Sequence, residues 1–77
     1  MKNANRKTAA EQTLEDVQDV QRQVENARTA NDLERFRCQI NELTSRRSAG
    51  LRAQFTAQLT LARIHGKEME LAAQALA

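Results

Sequence analysis

Apolar side chains recur at helical spacing through the second half of the chain. From Leu33 they run through Phe36, Ile40, Leu43, Leu51, Phe55, Leu59, Ala62, Met69, Ala73 and Leu76. At about 100° per residue these positions stay within about 80° of one line on a straight helix. Upstream, Ala10, Leu14, Val17, Val20, Val24 and Ala27 form a shorter stripe of the same kind. Together they predict an all-α fold. Its expected form is a helical hairpin, with a short helix over about 8–28, a turn at 29–32 and a long helix over about 32–76. Residues 1–7 read as a flexible basic tail, leaving 8–77 as a single helical domain.

The punctuation between the stripes fits this reading. Glu11 falls three residues after Thr8, the spacing of a capping box at the start of the first helix. In Thr29-Ala30-Asn31-Asp32, Asn31 can cap with Glu34 following, and Thr29 with Asp32 offers the same device two residues earlier. A second candidate break lies at Ser45-Arg46-Arg47-Ser48-Ala49-Gly50, where Ser48 is placed to cap a following helix. The stripe keeps its phase from Leu43 to Leu51, which favours one continuous helix. The alternative is a compact three-helix bundle broken near Ser48–Gly50. Gly66 lies close to the stripe: it is either a tolerated weak point or a place where another helix comes close.

Length turns this pattern into a statement about partners. The first helix spans roughly 27 Å and the second roughly 68 Å at 1.5 Å per residue. A short helix folded back on a long one covers only the Leu33–Leu51 part. The expected partner or dimer interface is therefore Leu51, Phe55, Leu59, Ala62, Met69, Ala73 and Leu76. Large apolar patches left bare on a soluble protein usually mark an interface. A symmetric dimer forming a helical bundle, or a partner helix laid on this stripe, would cover it.

Composition supports the helical reading. Proline is absent, glycine occurs twice, and the two aromatic residues are both phenylalanine. At 77 residues the chain has room for one small domain, a size that often draws on a staple or a partner. Its single cysteine rules out an internal disulfide, which fits a reducing compartment. No run is long enough to span a membrane, and the start does not read as a secretory signal, so a cytoplasmic location is expected.

Charge is unevenly placed. Residues 11–27 carry five acids against Arg22, and residues 28–67 carry eight bases against three acids. An acidic first helix facing a basic second segment attracts it. The bases also raise a second function class, an RNA- or DNA-binding hairpin dimer with Arg46, Arg47 and Arg52 as candidate phosphate contacts. Against this, there are few aromatics to stack on bases, and Glu34 and Glu42 interrupt the basic run. An anionic membrane surface is not expected as a partner, because Gln54, Gln58, Glu68 and Glu70 dilute the basic face.

Catalytic chemistry is not expected. His65 and Cys38 each stand alone, with no second histidine or cysteine to build a metal site. There is no phosphate-cradling loop and no nucleophile elbow, and the acid pairs read as solvated helix charge. The expectation is a non-enzymatic protein, without cofactor or metal, that acts as an adaptor, accessory chaperone or inhibitor of a larger complex. Its partner is a second copy of itself, another protein, or both.

Overall fold

The computed structural model describes residues 7–76, and the fold consists of three α-helices: α1 Ala9–Val24, α2 Ala30–Thr44 and α3 Leu51–Leu76. The all-α class expected from the sequence holds, and each helix packs against the other two. The single long helix over 32–76 does not form. The chain leaves helix at Ser45 and re-enters it at Leu51, so the broken, three-helix arrangement is the one adopted. Of the expected tail, only Lys7 falls among the described residues, where it pairs with Glu15.

Local chemistry explains each end. Thr8 accepts a hydrogen bond from the Glu11 amide (3.1 Å), and the Glu11 carboxylate accepts one from the Thr8 amide (2.9 Å). This closes the capping box and satisfies donors that the helix cannot. Those bonds from Thr8 hold the Glu11 carboxyl below its usual range. α1 stops at Val24, four residues before the expected Arg28, and the Glu25, Asn26 and Ala27 amides tighten onto carbonyls three residues back. Thr29, not Asn31, caps α2 by accepting from the Asp32 amide (3.1 Å). The Asp32 carboxylate in turn accepts from the Arg28 amide (3.2 Å), which, ahead of the Thr29 bonds, depresses its pKa.

The break between α2 and α3 is held by side chains rather than by glycine. The Thr44 and Ser45 hydroxyls donate to the Ile40 and Asn41 carbonyls (3.0 and 2.7 Å), competing with continuation of the ladder. The Gln54 side chain donates to the Thr44 carbonyl (3.2 Å), one of the acceptors left free at a helix end. Ser48 does not cap α3. Its hydroxyl shares a 2.7 Å hydrogen bond with Thr13, which is buried in α1. Arg46 reaches Asp16 of the same helix at 3.3 Å. Gly50 has no positive φ, and its carbonyl accepts from the Gln54 amide (3.0 Å) as α3 begins.

These contacts set the helix directions. The loop before α3 touches the first half of α1, and Arg63 touches Glu25 just past its end, so α1 and α3 run the same way. Thr44 meets Gln54 and Arg37 meets Glu68, so α2 runs opposite to α3. The core joins Val17, Val20 and Val24 of α1 to Leu33, Phe36, Ile40 and Leu43 of α2. From α3 it takes Ala53, Ala57 and Ile64. Thr60 is also buried there, its hydroxyl donating to the Thr56 carbonyl at 2.8 Å. Most of this α3 contribution is small, which lets the other two helices lie close to its backbone.

Candidate protein-docking face

The break re-aims α3. The side chains that face α1 and α2 are Ala53, Ala57, Thr60 and Ile64, at spacings of four, three and four. At about 100° per residue these lie on the opposite side of the helix from Leu51, Phe55, Leu59, Ala62, Met69, Ala73 and Leu76. All seven of those residues are exposed. Leu51 and Leu76 are each 89% accessible, Phe55 66% and Met69 61%, whereas Ala57 and Ile64 are 0%. Thus α3 is apolar on two opposite faces, and this chain uses one of them.

The outer face has a regular period. From Phe55 the positions Leu59, Ala62, Gly66, Met69, Ala73 and Leu76 follow in alternating steps of four and three. That is a strict seven-residue repeat, the spacing of a seam for a second helix. Gly66 completes it, and a Cβ placed there would meet no atom within 4 Å. The chain's own packing therefore does not require glycine at that position.

Polar residues border the face. On the α1 side Arg63 donates two hydrogen bonds to the Glu25 carboxylate (2.9 and 3.0 Å) and lies 3.7 Å from Glu70. The guanidinium bonds hold the Glu25 carboxyl below its usual range. Lys67 donates to the Glu25 carbonyl at 3.0 Å, capping the end of α1. On the α2 side Arg37 bridges Glu34 and Glu68. These groups fix the angle at which α3 sits in the bundle and leave its outer face free of charge except at the edges.

Of the candidate phosphate contacts, Arg46 is engaged with Asp16, Arg47 lies within the break, and Arg52 lies in the first turn of α3. Cys38 is exposed on α2, with its thiol 3.7 Å from a Glu34 carboxylate oxygen. Among the described residues no group of three His, Cys, Asp or Glu side chains is placed to hold a metal ion. No described helix is long and apolar enough to cross a membrane.

The residues that sequence reasoning missed are the inner four of α3. Their spacing was visible, but alanine and threonine make a faint stripe beside leucine and phenylalanine. Comparison with protein-family models, curated proteins and solved structures finds no match for the chain.

Proposed function

We propose that this chain is a small, non-catalytic, cytoplasmic protein–protein interaction module that docks a helix on the outer face of α3. It would serve as an adaptor, accessory chaperone or inhibitor of a larger complex. The observation that carries the reading is the second apolar face of α3. A helix apolar on one face is complete once that face meets the core, and a helix apolar on two is ordinarily covered on both. Burying one large apolar side chain is worth about 1.5–3 kcal/mol. Leaving five such side chains in water, four of them on a seven-residue repeat, is a standing drive towards association.

The test is Phe55→Asp combined with Met69→Asp. Both side chains are exposed, so the variant should keep its helical signal and its melting temperature. It should lose self-association, measured by light scattering, or binding to its partner. Unchanged mass together with intact partner binding would refute the reading.

A further inference from the structure

We infer that the occupant of the α3 outer face is a second copy of this chain, lying antiparallel along the full helix. The inference rests on the docking reading above and adds the partner, its direction and its register.

The seam is self-complementary when reversed. Laid antiparallel about the level of Ile64, Phe55 faces Ala73 of the second copy, Leu59 faces Met69, and Ala62 faces Gly66. Large side chains meet small or flexible ones, and the two smallest meet each other nearest the axis, where the backbones come closest. The same register puts Leu76 of the second copy opposite Arg52. Arg52 also borders a depression of about 290 Å³ at the edge between the starts of α1 and α3, with Glu11, Leu14 and Leu51 in its lining. The C-terminal turns of α3, exposed from Ala72 onward, thus reach the level of this depression on the second copy.

Charge permits this pairing. The closest like-charge approach is Arg63 to its own copy, and each Arg63 already holds Glu25 through two hydrogen bonds. Antiparallel helices also oppose their dipoles. A parallel pair would stack Phe55 on Phe55 and set Gly66 against Gly66 over a void. α1 and α2 lie on the far side of α3, so the paired helices form the centre of a flat six-helix assembly. A helix of 26 residues offers a flat footprint of roughly 400 Å² per copy.

Two measurements test this. Gly66→Leu leaves the fold intact, because its Cβ meets open space, and it places a bulky side chain at the closest approach. It should weaken self-association, measured by sedimentation, about tenfold or more. Undiminished association overturns the inference. In a Cys38→Ser, Gln74→Cys chain carrying a nitroxide, the antiparallel register separates the two labels by at least about 30 Å along the helix axis. A dipolar distance under about 20 Å means a parallel pair and overturns it. So does a monomer at every concentration, an outcome that leaves docking to a different protein standing.

Discussion

Exchanging the bulk of two neighbouring positions on α3 asks which face of the helix is inside. Ala57 is fully buried between α1 and α2, and Phe55, two residues away, is 66% exposed. Ala57→Leu forces three carbons into a site with no room, a class of change that costs about 1–3 kcal/mol. In a domain of this size each kcal/mol moves the midpoint by about 4–8 °C, so the melting temperature should fall by roughly 4–24 °C. Phe55→Ala removes far more apolar surface but from an exposed position, where changes usually stay within about 0.5 kcal/mol. Thermal unfolding followed by helical circular dichroism, in dilute solution so that association adds nothing, reads both. Had the unbroken stripe formed the core, the order would invert, and Phe55→Ala would cost about 3–5 kcal/mol. A larger loss for Phe55→Ala than for Ala57→Leu would refute the packing described here.

Three further outcomes follow from the same contacts. Ser48→Ala strands the Thr13 hydroxyl inside the bundle and should cost about 1–3 kcal/mol by urea unfolding; Thr13→Val added to it should recover most of the loss. The carboxyls of Glu11, Glu25 and Asp32 have depressed pKa values, so the stability they contribute is present above their unfolded values. It is lost as pH falls through the lower folded ones. Melting temperature should then hold level down to about pH 5 and fall only below that; a decline beginning near the histidine range, about pH 6.5, would contradict this assignment. Ile64→Ala opens a hole where all three helices meet and should cost about 2–5 kcal/mol, and a change under about 1 kcal/mol would show that Ile64 is not buried.

Much of the fold was legible residue by residue. The Thr8–Glu11 box, the valines of α1 and the Leu33–Leu43 stripe of α2 each follow from spacing alone, because local bonds and one-sided burial write directly into sequence. The end of α1 was not legible. Glu25, Asn26 and Ala27 are acceptable helix residues, and the early stop coincides with grips on Glu25 from Arg63 and Lys67, far away in sequence. The break at Ser45–Gly50 was masked by an accident of phase. Leu43 and Leu51 sit eight residues apart, which leaves them about 80° apart on the same side of a continuous helix, so the stripe ran on across a loop that Thr13, Asp16 and Gln54 hold in place. The inner face of α3 was hidden for another reason: alanine and threonine at 53, 57 and 60 are quiet beside the leucines and phenylalanine of the outer stripe. The outer face was visible as a pattern, and its exposure followed from helix lengths alone; the break added a second, inner face to the same helix.

A scan with a photoreactive phenylalanine analogue, in the source cell, tests the docking face most directly. Placed in turn at Phe55, Leu59, Ala62 and Met69, it should form covalent protein adducts, with a second copy of the chain or with another protein. The exposed α2 positions Gln39 and Glu42 should form few or none. Adducts confined to the seven-residue repeat of α3 are the result the account predicts. Equal labelling at Gln39 and Glu42, or none along α3, would contradict it.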